Sequence, residues 1–427
     1  MKLLTIKNFL NMKLRNLMYA TMIACAFASC SKDDEVINGG ETAKGDATLD
    51  VKIATPLSTK ADEDAESDST ITTLGVYVFD NTYNLEGYTI STQGKTGTDN
   101  SRKVSGLTAG AKHVIVLANY QPTVTTTTTT LSEFESNVKE YSTESMGNFS
   151  MNSKVYDVDL QASVTNYLGY ITNDVTDGGH LIPNDSKPVY LYRNVGKVVL
   201  TSITLDALDT KYKDAVLDVD SVFILHAVNK SLAVGKGYAW GTTMPTTDYQ
   251  FLNAVSGTTY EGWKSVITSL TNPTLMQSYL VDPNSYVSDA TTSLKDANGF
   301  TLKTNSLVKT NVDSFYVYEN TNAKTKATLL VVAGKLKYGT ITYPTTRYYS
   351  IAIGYDGNPD WSKATPTDGS RTASAGLYRN VQYNVALTVK GPGYETPFGP
   401  EQKDNTVLDV KVKVAPFGVT SQNVEIE

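Results

Sequence analysis

The sequence predicts an all-β fold of sandwich domains with minor helical insertions, and three observations carry that prediction. Segment after segment alternates apolar and polar residues with period two; clusters of Gly, Asn, Asp, Pro and Ser fall between the segments; and long 3.6-residue periodicity is scarce.

The amino terminus is the one segment of another kind. Lys2, Lys7, Lys13 and Arg15 make a basic leader, and Leu17 to Phe27 forms an apolar run shorter than the roughly 20 residues that span a bilayer. It reads as a signal peptide over 1–29, with Met12 as an alternative start. The run ends in Phe27-Ala28-Ser29-Cys30, small residues directly before a cysteine. That is the pattern of a bacterial lipoprotein signal, cut between Ser29 and Cys30 to leave Cys30 as the lipidated first residue. Cys25 leaves with the signal, so the mature fold retains no thiol for a disulfide, a metal or a nucleophile. Residues 30–46 are polar and aperiodic, which makes them a tether.

Ala47 to Ile53 opens the β pattern, and the first strand is assigned to 47–54, followed by an acidic loop over 55–70. Leu74–Phe79, Val114–Leu117, Val195–Leu205, Val219–Val228, Phe315–Tyr318, Leu329–Leu336, Tyr348–Ile353 and Tyr383–Val389 continue it, rich in Val, Ile, Tyr and Thr. Helix is predicted over Glu261–Leu270 and, shorter, over Leu131–Val138. The run Thr125–Thr130 reads as a solvated loop or edge strand, with an O-glycosylation or contact site as the functional alternative. Asp174 to Lys187 is rich in turn residues and an apolar pattern restarts at Val195, so a boundary is placed near 186–194, giving domains 47–188 and 189–427.

Catalytic constellations are missing from this pattern. His113, His180 and His226 have no spacing that would put two ligands on one face, and each reads as structural. The carboxylates of Asp62, Glu63, Asp64 and Glu66 lie in a solvated run, without the fixed separation that glycosidic chemistry needs. Gly391-Pro392-Gly393 lacks the lysine and helix start of a phosphate loop and reads as a tight turn. No cofactor or metal is expected, and no enzyme activity. Removing residues 1–29 leaves 33 basic against 44 acidic side chains, a net charge of −11, which argues against nucleic acid as a partner.

One repetition asks for a functional account. Leu49-Asp50-Val51-Lys52-Ile53 near one end is echoed by Leu408-Asp409-Val410-Lys411-Val412-Lys413-Val414 near the other. In each, the aliphatic residues point one way and Asp and Lys the other. Between the first strand and the rest lies an exposed, cuttable loop containing Lys60. A trypsin-like protease cutting between Lys60 and Ala61 would release the first strand with its lipid. Burial of three aliphatic side chains, about 1.5–3 kcal/mol each, would be lost along with the ladder hydrogen bonds. The groove left behind could accept Leu408, Val410, Val412 and Val414 from the 407–427 segment of another copy. Repeated head to tail, that contact makes a fibre.

The order Cys30, strand 47–54, Lys60, Leu74-Gly-Val-Tyr-Val-Phe79, His113-Val-Ile-Val-Leu-Ala-Asn119 and Phe315-Tyr-Val-Tyr-Glu-Asn320 resembles the fimbrillin-type (type V pilin) family of pilus subunits. Tyr378-Arg379-Asn380-Val381-Gln382-Tyr383 and Gly391-Pro392-Gly393 agree with its second half. The acidic run Asp33-Asp34-Glu35 resembles the export signal of surface lipoproteins. The resemblance implies two transthyretin-like β-sandwich domains, a lipid-anchored precursor in the outer membrane, processing by a trypsin-like protease, and donor strand exchange into a homopolymeric cell-surface fimbrium that supports adhesion. Lys60 stands where relatives often have Arg. An anchor or tip pilin of the same family is the nearest alternative. A surface glycan-binding lipoprotein is the other, with Trp240, Trp263, Trp361 and the many Tyr residues as its material.

Overall fold

The period-two segments form strands where the alternation places them. The computed structural model describes residues 37–38, 45–53, 71–91, 101–140, 143–144, 148–183, 189–205, 214–234, 286–288, 300–303, 306–310, 314–321, 327–338, 340–342, 345–355, 376–395 and 418–426. The amino-terminal half contributes β1 (Ile37–Asn38), β2 (Ala47–Lys52), β3 (Leu74–Asp80), β4 (Leu85–Ser91), β5 (Ser101–Leu107), β6 (Gly110–Ala118), helix α1 (Leu131–Glu135), β7 (Val138–Glu140), β8 (Met151–Asn152), β9 (Tyr156–Leu160), β10 (Thr165–Leu168), β11 (His180–Leu181) and β12 (Tyr192–Arg193). Then follow β13 (Val195–Leu205), β14 (Val216–Leu225), β15 (Lys230–Leu232), β16 (Tyr286–Ser288), β17 (Phe300–Lys303), β18 (Ser306–Thr310), β19 (Ser314–Tyr318), β20 (Leu329–Tyr338), β21 (Ile341–Thr342), β22 (Arg347–Ala352), β23 (Val381–Val389) and β24 (Gly418–Ile426).

A seven-stranded sheet in the order β1-β4-β3-β6-β8-β12, with β9 also on β6, packs against a four-stranded sheet, β11-β10-β2-β5. Their shared core holds Leu49, Val51, Val76, Val78, Val104, Val114, Val116 and Leu168. The seven-stranded sheet is covered on its other face as well. Tyr77, Phe79, Ile115 and Leu117 pack there with Leu131 and Phe134 of α1. That double burial is why β3 is a continuous apolar run, whereas β2, covered on one face, alternates strictly.

Helix α1 is shorter than the predicted 131–138. Thr130, the last residue of the threonine run, caps it, its hydroxyl accepting from the Glu133 N–H while the Glu133 carboxylate accepts from the Thr130 N–H in return. Ser136 ends it, and Val138 goes instead into β7, paired with Leu232 of β15. Thr125 to Thr130 is therefore a loop, as the first of the two readings has it. The predicted helix over 261–270 lies outside the described residues.

The second sheet pair has as many strands, and its main strands are longer. A six-stranded sheet, β16-β18-β13-β23-β24 with β19 also on β13, faces a five-stranded one, β17-β14-β20-β21 with β22 on β20. Val198, Leu200, Ile203, Val385 and Leu387 from the first meet Leu217, Ile224, Leu330, Val332 and Ile351 from the second. The chain crosses between the two cores within a few residues, since Val189 belongs to one and Val195 to the other.

At that crossing lies a buried polar junction. The Arg379 guanidinium donates to Asn152 Oδ1 at 3.1 Å, Asn194 Oδ1 at 2.8 Å, Ser231 Oγ at 2.9 Å and the Leu232 carbonyl at 2.8 Å. Its Nε stands 3.4 Å from the carboxylate of Glu319, which is wholly buried. Beside it, Glu144 accepts from the Tyr318 hydroxyl at 2.8 Å and from the Ser150 N–H and hydroxyl. Segments from both sheet pairs meet in this one cluster.

Candidate assembly site

Strand β2 occupies an inner position, hydrogen-bonded on both edges. It runs antiparallel to β5, with Thr48, Asp50 and Lys52 opposite Ser105, Lys103 and Ser101, and parallel to β10, with Thr48 to Val51 opposite Thr165 to Leu168. Just past it, Ile53 forms a parallel bridge to Val189. Ala47, Leu49 and Val51 have no exposed surface and Ile53 has 2%. The expected first strand is therefore present, its inward face is the predicted one, and it ends at Lys52.

Its outward face is polar and partnered. Tyr170 donates its hydroxyl to Asp50 Oδ1 at 2.8 Å, and Lys103 Nζ lies 4.0 Å from the other oxygen. Lys52 Nζ contacts Asp174 at 2.6 Å and sits 5.3 Å from the centre of the Tyr170 ring. Burial pushes the Asp50 carboxyl up from its ordinary value, against the hydrogen bond from Tyr170. The hydrogen bond from Lys52 holds Asp174 below its ordinary value. Alongside, Tyr167 donates to Asp177 at 2.5 Å, which pushes the phenol up to about 12.

At the other end of the chain, β24 lies parallel to β23, with Gly418 opposite Val381 and Ile426 opposite Val389. Part of the 407–427 segment is thus an edge strand of the chain's own six-stranded sheet. Ser29, Cys30, Lys60, Ala61, Leu408, Val410, Val412 and Val414 lie outside the described residues, as do Trp240, Trp263, Trp361 and the acidic run from Asp62 to Glu66.

The histidines sit in structural roles. His113 bonds Asp157 at 2.6 Å under the stacked ring of Tyr83, His180 bonds Asn166 at 2.9 Å, and His226 bonds the Ala327 carbonyl at 3.2 Å. Gly391 to Gly393 is a turn whose carbonyls at 392 and 393 accept from Arg347. The buried junction around Arg379 is the polar cluster that residue spacing did not find. Arg379 alone bonds across as many as 227 positions, and the sequence signals were Tyr378-Arg379-Asn380 and Tyr318-Glu319-Asn320, each as part of a family resemblance.

Comparison with known proteins bears on what such a strand arrangement serves. Residues 47–201 match the family model of the major fimbrial subunit protein FimA. The major fimbrium subunit FimA type-2 of Porphyromonas gingivalis is 25% identical over 431 residues, covering 94% of this chain and 97% of that protein. A Parabacteroides distasonis protein provisionally assigned as the fimbrium tip subunit Fim1C is 29% identical over 241 residues, 54% of this chain; the match spans 61% of that relative's length. In fold, the chain is similar to a fimbrilin from Porphyromonas gingivalis W83, with a TM-score of 0.54 and 18% identity over 90% of this chain and 98% of that one. A Parabacteroides distasonis structure provisionally assigned to cell adhesion gives a TM-score of 0.53 and 23% identity over 89% and 98%.

The family matched by residues 47–201 is one of structural fimbrial subunits, not of enzymes. Over residues 47–201 the chain is similar to the fimbrillin-type major fimbrial subunit family, and over most of its length it is similar to a major fimbrium subunit.

Proposed function

We propose that this chain is a polymerising fimbrial subunit. It is exported as a lipoprotein with its lipid on Cys30, held in the outer membrane until a trypsin-like protease cuts between Lys60 and Ala61. It is then joined to further copies by donor strand exchange, in a surface fimbrium that supports adhesion. In this reading the two sheet pairs are two transthyretin-like sandwich domains, expected as 47–188 and 189–427, with the chain passing from one sheet pair to the other between Arg193 of β12 and Val195 of β13. The incoming 407–427 segment brings Leu408, Val410, Val412 and Val414 to the place β2 has left.

The observation that carries the proposal is the position of β2. It is an inner strand whose whole inward face is buried, yet it ends only eight positions before a basic residue in an acidic, turn-rich stretch. Losing an edge strand would leave a smaller sheet; losing this one leaves β5 and β10 with unpaired edges over an uncovered core. Such a species has a strong demand for a replacement strand.

The test is the amino-terminal sequence and intact mass of the protein taken from the cell surface, alongside a Lys60→Ala variant. A mature start at Ala61 with polymer lost in the variant is the expected result. A start at lipidated Cys30, with the variant unchanged, would replace this reading by an anchor pilin. The relative assigned to the fimbrium tip favours one further reading, a tip subunit, for which processed monomer would appear without homopolymer.

A further inference from the structure

The outward face of β2 carries a charge order that the tail repeats. Along the strand Asp50 is followed by Lys52, and the groups that receive them are Tyr170 with Lys103 for the first and Asp174 for the second. Leu408-Asp409-Val410-Lys411 has the same four residues in the same order as Leu49 to Lys52.

We propose that this outward charge pair sets the register of the donated strand: Leu408 of one copy takes the place of Leu49 in the next, with Asp409 against Tyr170 and Lys103, and Lys411 against Asp174. The proposal rests on the strand-exchange reading above and adds what determines the fit. The donor then runs in the direction of β2, parallel to β10 and antiparallel to β5.

The inward face alone fixes little more than parity. A slip of one residue turns every aliphatic side chain to solvent, but a slip of two in one direction puts Val410, Val412 and Val414 at the places of Leu49, Val51 and Ile53, and in the other it puts Thr406 at the place of Leu49. Leu408 and Val410 match Leu49 and Val51 in size, and Val412 is one methylene smaller than Ile53. At these three places the first slip gives up only one methylene relative to the proposed register, whereas the second also buries a threonine hydroxyl.

The outward face separates the alternatives. Sliding the donor two residues one way places Lys411 where Asp50 stood, beside Lys103 and under a tyrosine hydroxyl that has lost its acceptor. Sliding it two residues the other way places Asp409 where Lys52 stood, against Asp174. Each slip sets one pair of like charges together; the first still seats Lys413 against Asp174, so only the proposed register pairs opposite charges at both places. Lys52 and Asp174 are about one third exposed, so the pair adds little to stability. Choosing between registers needs only the difference between attraction and repulsion.

Because the mature chain has no cysteine beyond Cys30, introduced cysteine pairs read the register directly in polymer assembled from the processed full-length chain. Opposite strand positions are known: Thr48 faces Ser105 and Lys52 faces Ser101. Ser105→Cys with Val407→Cys reports the proposed register, Ser105→Cys with Asn405→Cys one slip, and Ser101→Cys with Lys413→Cys the other. All three leave Asp409, Lys411, Lys103, Tyr170 and Asp174 in place.

The expected result is a covalent ladder, after mild oxidation, from the first pair alone. A ladder from either other pair overturns the register while leaving strand exchange intact. Polymer-free samples without a ladder in all three overturn both. In the first background, Lys411→Glu is expected to slow ladder formation several-fold and Asp174→Lys to restore it. A ladder that forms as fast in the single variant as in its parent overturns the role given to the charges.

Discussion

The seat of β2 and the junction around Arg379 are held in opposite ways. At β2, an aliphatic face supplies the binding and the polar groups stay at the surface, so any strand with the same alternation could satisfy the site. At the junction an ionised group is fully enclosed, and its partners come from four separate stretches of chain in fixed positions. The first kind of contact can be exchanged between molecules, while the second can only be made once, within one chain. A protein that must surrender a strand without coming apart needs both kinds, in different places.

Arg379→Met should have the largest effect, because it strands the Glu319 carboxylate without its counter-ion; a loss of about 3–5 kcal/mol is expected in urea unfolding of the precursor. Adding Glu319→Gln should recover much of it, and failure to recover would mean that the junction acts through shape and not charge. Leu49→Ala should cost the unprocessed chain about 2–5 kcal/mol. The same substitution should leave the processed chain unaffected, since residue 49 has departed with the leader segment. Equal losses before and after processing would erase the contrast between an exchangeable and a fixed contact. Thr130→Ala, which removes the cap of α1, should cost about 1 kcal/mol.

The smallest effects concern the outward face of β2, and they differ in sign. Asp174 is held below its ordinary pKa, so its contribution is complete above the unfolded value of about 3.9 and fades as pH falls through the lower folded value. Asp50 is raised, so its contribution is greatest below the unfolded value and is lost as pH rises through the folded one. Asp174→Asn and Asp50→Asn should therefore tilt the stability of the precursor against pH in opposite directions between about pH 3 and 6. Parallel tilts would show that the two carboxylates share one environment.

Much of this architecture is legible in the sequence because burial on one face writes itself as alternation. Val195–Leu205 is found at its observed limits, and the inward set of β2 is read residue for residue. Strand β5 escapes because Arg102 is buried among its inward residues and Gly106 interrupts the pattern near its end. Strand β9, Tyr-Asp-Val-Asp-Leu, does alternate, but two of its five residues are Asp, a residue that strands disfavour, and the pattern does not stand out. The end of β14 is set three residues short of Val228 by His226, whose backbone is in the left-handed region at φ +57°. The site is legible to the same degree: its apolar half follows from periodicity, whereas Tyr170 and Asp174, which answer its polar half, come from a loop more than 115 residues away.

The inner position of β2 has a mechanical side. A strand bonded along both edges and pulled along its own axis loads its ladder bonds together, whereas a strand peeled from one end loads them one at a time. Any segment seated there would resist a steady tug through the rate of a single concerted rupture. Pulling on joined pairs of subunits should accordingly show one sharp yield per joint, with no sequence of small steps before it.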